Sequence, residues 1–139
     1  MQKREQALCT KLNKWWIDKG HKLLPASNYC IEAKASTDHK PFNLKSGFKE
    51  HQLPTLIAYN TKPMKWKISD AGIISCQHYD MSWTNPATTK ALVAIQWIRR
   101  GNKEFYLIEP EAITNVIAQG VKSLTEECAK LIAIYIGQL

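Results

Sequence analysis

The feature that most constrains this chain is a near-continuous apolar run at residues 91–98, Ala-Leu-Val-Ala-Ile-Gln-Trp-Ile. It reads as a strand, Arg99-Arg-Gly-Asn102 reads as a turn, and residues 104–108, Glu-Phe-Tyr-Leu-Ile, read as the strand that returns. The pair predicts a hairpin around which other elements must pack.

Helical periodicity appears on both sides of it. Residues 4–19 place Leu8, Leu12 and Trp15 or Trp16 on one face and the lysines elsewhere, with Gly20 expected as the C-terminal stop. Residues 49–59 carry a stripe of Leu53, Leu56 and Ile57, and Pro54 fits if it lies in the first turn. The chain's end predicts two helices, the first over about 110–119 and the second after a break at Gly120. Ser123-Leu-Thr-Glu126 has the form of a capping box, and Cys128, Leu131, Ile132 and Tyr135 would share one side of the last helix, facing the core or a dimer partner.

Between these lie shorter segments. Residues 22–24 and the turn-forming Pro25-Ala-Ser-Asn28 precede residues 29–35, Tyr-Cys-Ile-Glu-Ala-Lys-Ala, which predict the return strand of a second hairpin. Residues 36–46 are polar and irregular. Met64, Trp66 and Ile68 alternate with Lys65, Lys67 and Ser69, as in a half-buried strand ending at Asp70. Residues 71–90 carry few periodic cues. The order predicts an α/β (α+β) architecture, one mixed sheet flanked by helices. A length of 139 residues without repeat or linker predicts a single domain over 1–139.

No apolar run reaches the roughly 18 residues of a membrane span, and the N-terminus lacks the apolar core of a signal peptide, so an intracellular, cytoplasmic protein is expected. The four cysteines, Cys9, Cys30, Cys76 and Cys128, are scattered and predict reduced thiols; Cys76 and His78 could share a metal, but no second pair accompanies them. Lysine and arginine outnumber acids 19 to 12, and 16 of the 19 are lysines, which suit phosphate contact better than bidentate base reading. The excess points to a polyanionic partner or to a merely basic surface. Gly-rich phosphate loops, nucleophile elbows and HExxH are missing, which argues against nucleotide hydrolysis, serine hydrolases and common zinc proteases.

One constellation carries chemistry. On a strand over 29–35, Ile31 and Ala33 would point into the core while Cys30, Glu32 and Lys34 line the other face. Carboxylate and ammonium would then stand about 7 Å apart along the strand. Metal-dependent phosphodiester hydrolysis can use that pairing, the carboxylate holding Mg²⁺ and the lysine orienting water or stabilising developing charge. An acid-x-lysine triplet alone is a weak signal, and Asp38-His-Lys40 is a second instance, in a polar loop. The alternative for Glu32 and Lys34 is a surface ion pair on an edge strand.

Ile31-Glu-Ala-Lys34, Lys40-Pro-Phe42, Lys49-Glu-His-Gln52 and the later Tyr-Leu-Ile-Glu-Pro at 106–110 together resemble the Holliday junction resolvases of the recombination protein U type, over about residues 22–115. The resemblance implies a PD-(D/E)xK, restriction-endonuclease-like core, a homodimer, Mg²⁺ (or Mn²⁺), and paired nicks across a four-way DNA junction. It would make Glu32 a metal ligand, Lys34 the catalytic lysine and Gln52 a helper near the scissile phosphate. The family also places a metal-binding Asp on the strand before the E-x-K, where this chain has Lys22. Asp70 is the first candidate for a migrated ligand, with Asp18 and Asp80 behind it and Glu5 as a further acid. The other resolution is a protein that binds DNA without cutting it, and a nuclease for linear duplex also remains open. Lys62, Lys65, Lys67, Arg99 and Arg100 are the expected phosphate contacts. His51 could touch a phosphate, and Trp15-Trp16 could stack on a base, although tryptophans on an apolar helix face usually belong to the core.

Overall fold

The computed structural model describes residues 2–26, 28–67 and 81–139. Helix α1 (Gln2–Trp15) runs through a π-helical turn, Trp16–Gly20, into the short α2 (His21–Leu23). Strand β1 (Asn28–Thr37), β2 (Phe42–Asn43), α3 (Leu44–Gly47) and α4 (Gln52–Thr61) follow, then β3 (Met64–Lys67) and β4 (Met81–Thr84). The last part comprises β5 (Thr89–Ile98), β6 (Glu104–Ile108), α5 (Pro110–Ala118), β7 (Ser123–Leu124), α6 (Glu126–Ile132) and β8 (Ala133–Gln138).

The main sheet has the order β1-β5-β6-β8, and two-stranded ribbons join β2 to β7 and β3 to β4. Strand β1 runs parallel to β5, whereas β5–β6 and β6–β8 are antiparallel. This is the mixed sheet flanked by helices that the element order predicted. Leu8, Leu12 and Trp15 of α1 cover one face with Leu92, Ala94, Phe105 and Leu107. Leu53, Leu56 and Tyr59 of α4 and Ile113 of α5 cover the other, over Val93, Ile95, Tyr106 and Ile108. Strand β5 is therefore buried on both faces from Ala91 to Trp97, which is why its sequence runs apolar instead of alternating. Among the described residues no helix is long and apolar enough to cross a membrane.

Three sequence expectations are corrected. Residues 29–35 are not the return strand of a hairpin: the preceding residues 21–23 are helical, and β1 pairs in parallel with β5, from Asn28 opposite Thr89 to Thr37 opposite Ile98. Parallel pairing needs a crossover, and α4 supplies it. Nor does Gly20 stop the first helix. Its backbone is helical (φ −59°, ψ −39°), and a Cβ there would lie 2.5 Å from the Trp15 ring and 2.8 Å from that of Trp16. The glycine makes room for two tryptophans.

The end of the chain departs most. Ser123 and Leu124 form β7 against Asn43 and Phe42, and the cap of α6 is Thr125, whose hydroxyl accepts from the Cys128 backbone N–H. After Ile132 the chain becomes a strand. Ala-Ile-Tyr-Ile-Gly alternates and is rich in β-formers, and the open edge of β6 offers it hydrogen bonds. The expected helical stripe dissolves accordingly, leaving Leu131 86% exposed.

Candidate functional site

Among the described residues strand β1 is an edge strand, with β5 as its one neighbour in the sheet. The Asn28 N–H donates to Thr88 O, so in the parallel ladder the backbone groups of the even-numbered residues face β5. Glu32 lies opposite Val93 and Lys34 opposite Ile95, with both side chains on the α4 side of the sheet.

The turn before α4 brings the third residue in. Asn43 caps α3 by accepting from the backbone N–H groups of Lys45 and Ser46. Phe42 and Phe48 meet edge to face at 5.6 Å, and a Cβ on Gly47 would lie 2.2 Å from the Phe42 ring. This closely packed corner fixes where α4 starts. Pro54 then falls in the first turn, where its missing N–H costs no internal bond.

Glu32, Lys34 and Gln52 close into a triangle. The Lys34 ammonium lies 3.0 Å from Glu32 Oε1 and donates to Gln52 Oε1 at 3.1 Å. Gln52 Nε2 donates to Glu32 Oε1 at 2.8 Å. Gln52 Oε1 also accepts from the Lys49 backbone N–H at 2.9 Å, so two donors on the oxygen fix which way round the amide sits. Lys34 is only 6% exposed, and the Phe48 ring stands 5.4 Å from its nitrogen. Phe48 went unrecognised in the sequence, and Lys49 entered only as part of the Lys49–Gln52 motif, although the interval from Lys49 to Gln52 is that of a side chain reaching back over a helix start.

A buried lysine held this way is a fixed positive charge beside a carboxylate that water can reach, since the Glu32 side chain is 32% exposed. Glu32 Oε1 takes both protein contacts, and Oε2 makes no hydrogen bond to a described residue. One free carboxylate oxygen suits Mg²⁺, which keeps several waters and takes one or two carboxylates. Among the described residues no three His, Cys, Asp or Glu side chains gather at one point. Glu5 stands on α1 one turn before Cys9. Burial, followed by the charges of Glu32 and Glu5, pushes the Cys9 thiol above its ordinary value, so both carboxylates lie within electrostatic reach of it. Asp18 is exposed on the π-helical turn. Asp70 and Asp80, like Cys76 and His78, lie outside the described residues.

The basic candidates separate. Lys62 is exposed after α4, Lys65 and Lys67 are on β3, and Arg100 is exposed in the β5–β6 turn. Arg99 instead grips Glu126 with two nitrogens, at 2.6 and 3.2 Å, and the Tyr106 hydroxyl lies 2.8 Å from Glu126 and 2.9 Å from Glu104. Burial pulls the Glu126 carboxyl upward, but the hydrogen bonds from Arg99 and Tyr106 outweigh it and leave the group below its ordinary value. His51 is exposed at the start of α4 and makes no capping hydrogen bond. Trp15 is buried in the core, whereas Trp16 stays partly exposed.

No protein-family model matches the chain, and neither the curated proteins nor the solved structures hold a significant match.

Proposed function

We propose that this protein is a Mg²⁺-dependent endonuclease for branched DNA, acting as a homodimer, with Glu32, Lys34 and Gln52 as its catalytic cluster. The observation that carries the reading is the triangle itself: Gln52, 18 and 20 positions away from its partners, bonds to both the acid and the lysine. The formal charge of +7 and the exposed Lys62 and Arg100 supply the attraction a polyanion needs.

Each residue has a part that its surroundings support. Glu32 offers its outer oxygen to the cation, which when bound supplies Lewis acidity to a phosphoryl oxygen and acidifies a water. Lys34, held by Gln52 and Phe48, presents its charge where negative charge grows on the phosphate, and it needs no reorganisation to do so. Gln52 holds the two in a defined geometry, bonded to both. Two such sites related by a two-fold axis suit a junction cut symmetrically.

A second reading, a DNA-binding module without cleavage, is favoured by the direct 3.0 Å contact between Lys34 and Glu32, a closed ion pair that no cation is needed to complete. The deciding experiment is cleavage of a labelled four-way junction in Mg²⁺, wild type beside Glu32→Ala and Lys34→Ala. Paired nicks by the wild type, with each variant down by about 10²–10³-fold, are expected. Tight junction binding without cleavage in Mg²⁺ or Mn²⁺ leaves the binding module. Cleavage of linear duplex at an equal rate moves the substrate from junctions to DNA in general.

A further inference from the structure

A cavity of about 280 Å³ lies between α1 and β1, on the opposite face of β1 from Glu32 and Lys34. Cys9, Asn13 and Trp16 line it from the helix, and Asn28, Tyr29 and Ile31 from the strand. Its volume lies below the roughly 300–1,000 Å³ of pockets for drug-sized ligands, so it suits one flat ring system.

The lining is built for such a ring. Trp16 and Tyr29 meet at 5.3 Å with their planes 64° apart, so a planar guest can stack on one and touch the other edge-on. The Ala26 backbone N–H donates to the Tyr29 hydroxyl at 3.0 Å and holds that ring in place. Trp16 opens the π-helical turn, and Gly20 leaves the space its ring occupies. Asn13 and Asn28 are exposed and bring amide donors and acceptors to the same place. Because even-numbered residues of β1 turn their backbone groups to β5, the odd-numbered Ile31 turns its N–H and C=O to the free edge. Aromatic faces beside hydrogen-bonding groups on both walls are what an unstacked nucleobase needs.

The cavity also adjoins the cleavage cluster. Ile31 precedes Glu32 in the strand, and the Cys9 wall feels the Glu32 carboxylate. A strand whose phosphate sits at Glu32 on one face of β1 can turn its base around the unpaired edge to the other.

We propose that the Trp16–Tyr29 cavity takes one unstacked DNA base next to the phosphate held at Glu32 and Lys34, so that the protein selects sites where a base can leave the stack. This rests on the proposed endonuclease reading and gives it a means of choosing branch points, where stacking is already interrupted.

The test uses binding, not cleavage. A four-way junction carrying 5-iodouracil at each position flanking the branch point is bound to the full chain in Ca²⁺ and irradiated, and the cross-linked peptides are identified by mass spectrometry. Cross-links at Trp16 or Tyr29 are expected from one flanking position, and an abasic nucleotide there should weaken binding by about 5- to 100-fold. Trp16→Ala should weaken binding equally, but it risks the helix packing. Asn13→Phe, which blocks the cavity from an exposed helix position, should abolish the cross-link while preserving the melting temperature. A junction bound tightly with cross-links elsewhere, or with no cost from the abasic nucleotide, overturns the cavity proposal and leaves the endonuclease reading intact. Absence of any DNA binding overturns both.

Discussion

At the scale of single residues, Glu32 and Lys34 are not equivalent halves of their pair. Lys34 is 7% exposed by its side chain and Glu32 32%, so removing one or the other leaves very different remnants. Glu32→Ala strands an ammonium beneath Phe48 with only Gln52 to meet it. Breaking a buried pair from one side costs about 3–5 kcal/mol, and the retained Gln52 bond places this case near the lower figure. Lys34→Met leaves a carboxylate that water reaches, and a loss of about 1 kcal/mol or less is expected. Urea unfolding should therefore rank Glu32→Ala well below Lys34→Met in stability although both lose cleavage. Equal losses would mean that Lys34 is better hydrated than its packing indicates. Gln52→Ala frees both charges to shift, and a misplacement of about 1 Å is worth up to roughly 10²-fold in rate. It should depress turnover more than DNA affinity, as separate titration and single-turnover assays would show.

At the scale of elements, the site depends on a corner that contributes no chemistry. Gly47 lies against the Phe42 ring, and Phe42 against Phe48, immediately before the Lys49–Gln52 turn. Gly47→Ala must push that ring, an overpacking of about 1–3 kcal/mol. The shift should reach Gln52, so stability and cleavage should fall together. Denaturant curves and junction cleavage on one preparation check this, and an intact rate with reduced stability would detach the corner from the site. A second tie joins α6 to the β5–β6 hairpin through Arg99, Glu126 and Tyr106. The folded-state Glu126 carboxyl is held below its ordinary value, so its contribution is present above the unfolded value near 4.3 and is lost as pH falls through the folded one. Glu126→Gln should lower the melting temperature at neutral pH and flatten its decline under acid. An unchanged acid limb would assign the decline to other carboxylates.

These elements also show what the sequence could reveal. Strand β5 was legible because burial on both faces leaves a continuous apolar run, and the β5–β6 hairpin because its connection is short and turn-rich. Glu32 and Lys34 could be singled out because strand alternation aligns them, whereas Gln52 was reached only through the Lys49–Gln52 motif of the family the sequence resembles. The parallel partner of β1 and the strand β8 were hidden, since neither follows from local pattern. Four apolar residues after a short helix, Ala133 to Ile136, serve equally as its last turn or as an edge strand, and the open side of β6 decided for the strand. Arg99 read as a hairpin-tip cation because its acceptor, Glu126, lies 27 positions further along.

On the scale of the whole molecule, charge and shape make separable claims. The excess of seven positive charges acts on any polyanion, and it distinguishes a junction from linear duplex only as far as the junction brings more phosphates near. On the proposed reading, the cluster at Glu32 and the cavity at Trp16 would act on a particular phosphate and its neighbouring base. Salt separates the two, because each phosphate contact releases counterions and sets a slope of about −0.9 per contact in log affinity against log salt. Replacing Lys62 and Arg100 with alanine should reduce that slope by about 1–2 on junction and duplex alike, leaving the ratio of the two affinities unchanged. Asn13→Phe should do the reverse, keeping the slope and collapsing the ratio toward one. Titrations of both DNAs at several salt concentrations read the two quantities at once. If the lysine and arginine variants collapsed the ratio while Asn13→Phe left it intact, recognition of the junction would lie in the spacing of surface charge and not in the aromatic cavity.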